Sequence, residues 1–299
     1  MNATTWEIQL IKLYCIVCQA YDNRLAANAQ RLSNNFRPQF TDEECITIYL
    51  WGLLQRKFEV KAVYDYTKMH LSDWFPRLPS YQAFNNRLCF LADTLREFSV
   101  MLVENLPYDA EVKTYLMDSM PIVVAKGVRS NQARVAKEFC NKGYCSSQQM
   151  YYYGIKLHVL GQKRYQTLPL PILSLITPAS ENDLTCAKGF LDAFHGLDIY
   201  ADKAYRNASW QKSLLQDNQT QIFTPVKLAI GQKVLDSADK LYSLAVSRTR
   251  QAIESFFAWI HEKTKIQSAS KVRSLQGLLS FVFARISVVC LLLAGCFNP

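Results

Sequence analysis

The feature that most constrains this fold is a change in hydrophobic periodicity near residue 110. Before it, apolar residues recur at helical spacing. After it, residues 150–161 alternate apolar and polar side chains, which is typical of a half-buried strand. The change predicts two domains, an all-α N-terminal domain over residues 1–108 and an α/β domain over residues 109–299.

The N-terminal half carries helix-start signals. Thr41 and Glu44 have the spacing of a capping box. Ser80 is placed to cap a long helix over 81–106, and residues 60–71 predict a shorter one. Short helices of this kind suit either a helix-turn-helix that reads DNA or a simple packing unit.

The second half reads as strands and helices in alternation, and this order predicts a mixed five-stranded sheet flanked by helices. The predicted strands lie within 112–125, 150–161, 170–177, 197–205 and 221–226, and the predicted helices within 181–194, 207–217, 237–264 and 278–297.

The last predicted helix, residues 278–297, is apolar over about the length of a membrane span. Arg285 lies in its middle, where lipid would make a charge costly. We therefore favour a helix buried in a protein core over a membrane span.

The cysteines favour a reducing compartment. There are nine, an odd number, and the N-terminus lacks the basic start and apolar run of a secretion signal, so we expect a cytoplasmic protein. Cys15 with Cys18, and Cys140 with Cys145, lack the second ligand pair of a zinc site, and packing explains them more simply.

The positive charge lies in the second half. The chain has 34 Lys and Arg against 25 Asp and Glu, a net +9, and these charges cancel over residues 1–105. A basic domain suits a polyanionic partner such as DNA, although solubility alone also accounts for it.

Three carboxylates stand where the predicted elements would bring them together. By this interpretation Asp118 ends the first strand, Asp202 ends the fourth, and Glu254 lies on the long helix. Carboxylates are the ligands that Mg²⁺ prefers, and two such ions can support in-line displacement at a phosphodiester. Each acid taken singly has a simpler explanation. The aspartates could form a turn or cap a helix, and Glu254 could form an ion pair with Arg250 four residues earlier.

Basic residues surround these acids, with tyrosines among them. Between residues 119 and 165 there are eight Lys and Arg and one acid, and Tyr144 and Tyr151 lie in the same stretch. This composition suits phosphate neutralisation and base stacking, or else a solvated hairpin face. The candidate DNA-binding residues are Lys126, Arg129, Arg134, Lys142, Lys156, Lys203, Arg250, His261 and Lys263.

At these positions the chain resembles the DDE transposases of bacterial insertion sequences, and most of all the IS982 family among IS4-like enzymes. The resemblance is carried by DSMPI at 118–122, YGIKLH at 153–158, PAS-x-ND at 178–183, YADKAYRN at 200–207 and R-x-x-x-E at 250–254.

The resemblance implies an RNase H-like catalytic core and a DNA transposase that uses two Mg²⁺ or Mn²⁺ ions. It makes Asp118, Asp202 and Glu254 the catalytic and metal-binding triad, and Asp183 a supporting acid. It also implies double-stranded DNA as partner, both as terminal inverted repeats and as target, and a homodimer in the DNA complex.

One part of the family pattern differs here. IS4-like enzymes often carry Y-x(2)-R-x(3)-E-x(6)-K around the last acid, whereas this chain has Ser247 and His261 at the outer positions. Lys263 or Lys265 are candidates for the missing lysine. An RNase H-like nuclease or resolvase without strand transfer would share the acids, and so would an inactive DNA-binding derivative.

Overall fold

The computed structural model describes residues 5–30, 38–146, 148–228, 231–232 and 234–297. The chain forms two compact units. One combines Met1–Leu106 with Ile260–Pro299, and the other is Pro107–Trp259. We call them the helical unit and the sheet unit.

The helical unit is built from amphipathic and buried helices. The capping box at Thr41 and Glu44 is present, and Ser80 accepts a hydrogen bond from the Ala83 amide at the next helix start. The single helix expected over 81–106 is instead two, separated at Leu91. Its helices are α1 (Thr5–Ala20), α2 (Asp42–Leu54), α3 (Val60–His70), α4 (Tyr81–Phe90), α5 (Ala92–Glu104), the end of α8 (Ser237–Thr264) and α9 (Leu275–Leu293).

The C-terminal segment belongs with the helical unit, although we assigned it by sequence order to the second domain. Helix α9 packs against α5, α2 and α4, and its side chains are buried almost without interruption from Val282 to Leu291. A helix that is apolar on every face needs partners all round, and the N-terminal helices provide them. Leu275–Leu293 is long and apolar enough to span a membrane, and 67% of its apolar window is buried within the protein.

The sheet unit contains a mixed sheet of six strands, one more than the five predicted. The additional strand is Asn141–Cys145, a short stretch with a central glycine whose sequence signal is weak. The strands are β1 (Thr114–Lys126), β2 (Asn141–Cys145), β3 (Met150–Gln162), β4 (Leu170–Pro178), β5 (Asp198–Ala201) and β6 (Gln221–Phe223).

Strand β3 is central because it has a partner along both edges. Strand β1 pairs with it antiparallel over nearly its whole length, while β2 and β4 share the opposite edge. Gly154 permits this, since a Cβ there would stand 2.1 Å from the Ile122 carbonyl oxygen of β1. Beyond β1, β5 and β6 follow in parallel, which gives the order β2-β3-β1-β5-β6.

Helices α6 (Asp183–Leu191) and α7 (Ala208–Asn218) cover the β1–β5–β6 side of the sheet. Their apolar residues pack on the strands in one buried cluster, with Tyr205 fully enclosed. The buried members are Met117, Leu160, Ala187, Leu191, Ile199, Ala201, Tyr205, Leu214 and Ile222. Asp202 directly follows the end of β5, as predicted. Asp118 does not end β1, contrary to the prediction, because β1 continues to Lys126 by pairing with β3.

Candidate active site

Register places the first two carboxylates next to each other. In the parallel pair of β1 and β5, Met117 lies opposite Ala201. The next residue along each chain segment is an aspartate, Asp118 within β1 and Asp202 directly after β5, and the Asp202 carboxylate is near enough to raise the pKa of Asp118. Asp202 begins a 3-10 turn but makes no capping hydrogen bond with its side chain, so capping does not explain this residue.

Helix α8 brings the third acid to the same place through Arg250. One Arg250 nitrogen, Nη1, donates to Asp118 Oδ2 over 2.7 Å, and Nη2 donates to Glu254 Oε1 over 2.7 Å. The guanidinium is mostly buried, with 15% of its side chain exposed, whereas Glu254 is 57% exposed. The i−4 pair with Glu254 is therefore present, and the same arginine also binds Asp118.

Asp118 is held in an environment that disfavours its charge. Burial raises its pKa to about 6, against the lowering effects of Arg250 and of the hydrogen bond from the Ser119 amide. The nearby carboxylates of Asp202 and Asp183 raise it further. Burial is therefore the main reason that the charged form of Asp118 is disfavoured.

A second network supports Asp118 from the β3 side. Asp183, in the first turn of α6, accepts hydrogen bonds from Ser119 Oγ at 3.1 Å and Lys156 Nζ at 3.0 Å. Lys156 also donates to the Glu181 carbonyl at 2.8 Å. Asp183 therefore links β1, β3 and α6 behind the acid site. The role of Ser119 was not predicted, although its position next to Asp118 in the DSMPI motif pointed to it.

His158 completes this buried layer. Its Nε2 lies 2.8 Å from Thr177 Oγ1, and its Nδ1 lies 3.9 Å from Asp183 Oδ1. Burial lowers the pKa of His158 to about 4, although Asp183 acts in the opposite direction. The ring is neutral at physiological pH, and sequence reasoning missed it because its alternation pattern marked it as a polar strand position.

The remaining candidate DNA-binding residues fall into two groups. In the sheet unit, besides Lys156 and Arg250, five side chains are exposed and available to a partner: Lys126, Arg129, Arg134, Lys142 and Lys203. His261 and Lys263 belong to the helical unit. Burial lowers the pKa of His261, and Lys263 lies 3.8 Å from the Glu262 carboxylate.

The donor set suits a hard divalent cation, although the acids are not gathered as ligands. Among the described residues no three Asp, Glu, His or Cys side chains form a group that could hold a metal ion, because Arg250 stands between Asp118 and Glu254. The oxygen chemistry of these carboxylates fits Mg²⁺.

Comparison with known protein families settles the class. The family model described as Transposase DDE domain matches residues 109–274, more than half of the chain. The chain belongs to this family. No curated protein and no solved structure matches it significantly.

A transposase DDE domain implies an enzyme with a DNA substrate, and most of the matched residues lie in the sheet unit. The mixed α/β sheet described above is consistent with such a core. The match extends beyond Trp259 to residue 274, so the family sequence also includes the first residues of the C-terminal segment.

Proposed function

We propose that this protein is the transposase of an insertion sequence of the IS982 family. It cleaves DNA at the terminal inverted repeats of its element and joins the freed 3′ ends to target DNA. One observation carries the proposal: the β1–β5 register puts Asp118 beside Asp202, and Arg250 links Asp118 to Glu254.

The strand order supports an RNase H-like core. Leaving out the short β2, the order is β4-β3-β1-β5-β6, with three antiparallel strands followed by two parallel ones. Asp118 lies on β1, the central strand of this order, Asp202 directly follows the neighbouring β5, and the third acid comes from helix α8, whose Arg250 contacts Asp118.

Asp118, Asp202 and Glu254 would hold two Mg²⁺ ions. Such ions activate the attacking hydroxyl and neutralise charge at the leaving oxygen. Arg250 holds the Asp118 and Glu254 carboxylates together, and its fork of donors also matches a phosphate oxygen pair. We propose that Arg250 would contact the scissile phosphate through these donors. Ser119 would hold Asp118 in place, since its amide donates to Asp118 and its hydroxyl donates to Asp183.

The exposed cations of the sheet unit would bind DNA around this centre. Lys126, Arg129, Arg134 and Lys142 follow the β1 end and the β2 strand, and Lys203 directly follows Asp202. We propose that the protein acts as a homodimer on two DNA ends in the cytoplasm, where the nine cysteines, all free in the structure, would remain reduced. We propose that the catalytic part of the protein lies in the sheet unit.

The decisive experiment replaces the acids. Asp118→Asn and Glu254→Gln should each lower cleavage of end-labelled inverted-repeat DNA in Mg²⁺ by at least a thousandfold, because the carboxylates provide the metal ligands. DNA affinity should stay within threefold of the parent. Asp217→Asn, an exposed acid on α7, is the matched control and should cleave normally. Parental cleavage by either active-site variant would refute the proposal.

Cleavage and strand-joining assays distinguish the alternative functions. A nuclease or resolvase would cut but would not join pre-cleaved ends to a target plasmid. An inactive derivative would bind the repeats and show no cleavage at any Mg²⁺ or Mn²⁺ concentration.

A further inference from the structure

The helical unit contains a pocket of about 680 Å³ that the proposed chemistry does not use. It lies between α3, α4, the segment after α8 and the start of α9. Its volume is within the range of ligand-binding cavities. Aromatic residues form part of its wall, namely Tyr49, Phe58, Tyr81 and Phe281.

The charge of this pocket is strongly one-sided. Seven Lys and Arg residues line it and Glu59 is the only acid lining it. Two of the cations, Arg56 and Lys61, are paired with carboxylates, but both pairs are more than half exposed and therefore weak. Lys265 and Lys271 are exposed and have no ion-pair partner among the residues that the structure describes.

A buried positive charge in the wall adds to this field. Arg285 is fully buried, and its guanidinium donates to the carbonyl oxygens of Thr264 at 2.9 Å and Phe58 at 2.7 Å, and to Tyr49 Oη at 3.1 Å. In the described part of the chain no carboxylate pairs with it. Its charge is therefore uncompensated in a medium where electrostatic interactions are weakly screened.

We propose that this pocket binds one nucleotide of the DNA strand, with a phosphate on Lys265 and Lys271 and the base against the aromatic wall. The combination of concentrated positive charge with apolar aromatic surface matches a nucleotide, whose phosphate and base need these two surfaces side by side. The inference rests on the proposed function to the extent that it takes DNA as the substrate.

The test compares two charge-matched double variants of the full-length protein. Lys265→Gln with Lys271→Gln removes both unpaired pocket cations. Lys68→Gln with Arg77→Gln removes two exposed cations of the same unit that do not line the pocket. The probes are a fluorescein-labelled 20-nucleotide single strand and its duplex, and fluorescence anisotropy gives affinity over a range of NaCl concentrations. Circular dichroism establishes that both variants are folded.

The pocket variant should bind at least one of these DNA probes about tenfold more weakly in 100 mM NaCl, and the slope of log affinity against log salt should fall by about 1 to 2. The control should stay within threefold of the parent. Equal losses in both variants, or none in the pocket variant, would overturn the inference, as would binding of thymidine 5′-monophosphate to the pocket with DNA binding unchanged.

The outcome is separable from that of the proposed function. Cleavage by Asp118→Asn would refute the catalytic proposal whatever the pocket does. If Asp118→Asn loses cleavage as expected and the pocket substitutions leave DNA binding unaltered, only the pocket inference is refuted.

Discussion

At the scale of single residues, Arg250 explains how two acids that are far apart in the sequence lie close together. Its guanidinium is shared by Asp118 and Glu254 and offsets part of the repulsion that Asp202 and Asp183 exert on Asp118. The sequence indicated Arg250 only as a phosphate contact or as an i−4 partner of Glu254. Its bond to Asp118 spans 132 residues of sequence, and no local pattern records a contact of that range.

His158 provides a pH-dependent prediction at the same scale. Its pKa is about 4 in the folded protein because of burial, and about 6.5 when unfolded. Below pH 6.5 the unfolded state therefore binds a proton that the folded state does not, and stability falls as the pH drops from about 6.5 towards 4. We expect this residue to remove about 2 kcal/mol of the free energy of unfolding between pH 7.5 and pH 5.

Urea denaturation at both pH values measures this loss. His158→Gln should reduce the difference between the two pH values by most of that amount. His195→Gln, at an exposed position of the same unit, should keep the parental difference. An unchanged pH dependence in His158→Gln would contradict the prediction.

At the scale of elements, β3 and the β2–β3 hairpin connect the acid site to the basic surface. Tyr144 and Tyr151 lie opposite each other in the ladder, with ring centroids 4.9 Å apart, and both are at least half exposed. Lys142 Nζ lies 4.9 Å from the centre of the Tyr151 ring. These residues, with Lys156 and Lys227, line an open pocket of about 930 Å³. The alternation of apolar and polar side chains predicted β3. It did not predict β2, whose five residues form a strand by pairing with β3.

The tyrosine pair should act as a stacking surface for unpaired bases. Tyr144→Ala with Tyr151→Ala should weaken binding of single-stranded DNA by roughly tenfold, since stacking on an aromatic ring contributes about 1–3 kcal/mol per base. Duplex binding should change less, and anisotropy with labelled strands measures both.

Tyr165→Ala is the control for this surface. Tyr165 is 86% exposed in the same unit but does not line the pocket, so its loss should leave affinity for single strands unaltered. An equal effect of this variant and of the double variant would show that the hairpin is not a specific surface.

At the scale of the whole molecule, the C-terminal segment of the chain belongs to the same unit as the N-terminal helices. The last forty residues join the N-terminal helices in one unit, and Arg285 of α9 ties Phe58 and Tyr49 of that first segment to Thr264 at the end of α8. The tail was correctly expected to form a helix, and its burial follows from its apolar faces. Its partners were not predictable from sequence order.

Arg285→Met should destabilise the helical unit by roughly 2–4 kcal/mol. The substitution removes a buried charge but leaves the Phe58 and Thr264 carbonyl oxygens without their donor. Hydrogen exchange measured by mass spectrometry should show lower protection of α2 and α9 in the full-length protein. Arg77→Met, at an exposed site, should change stability by no more than about 0.5 kcal/mol. Unchanged protection of α9 in Arg285→Met would contradict the role of this arginine.

The sequence by itself determined the helix starts at Thr41 and Ser80 and the approximate positions of five strands, and it marked Asp118, Asp202 and Glu254 as the candidate acids. These depend on local hydrogen bonding, on side-chain alternation and on residue type, all of which act over a few neighbouring positions. Only the tertiary structure decided that Arg250 joins Asp118 to Glu254, that Asp183 and Ser119 brace the site, and that α9 completes the helical unit. Those contacts form between residues far apart in the chain, and their stability comes from burial that no short segment achieves alone.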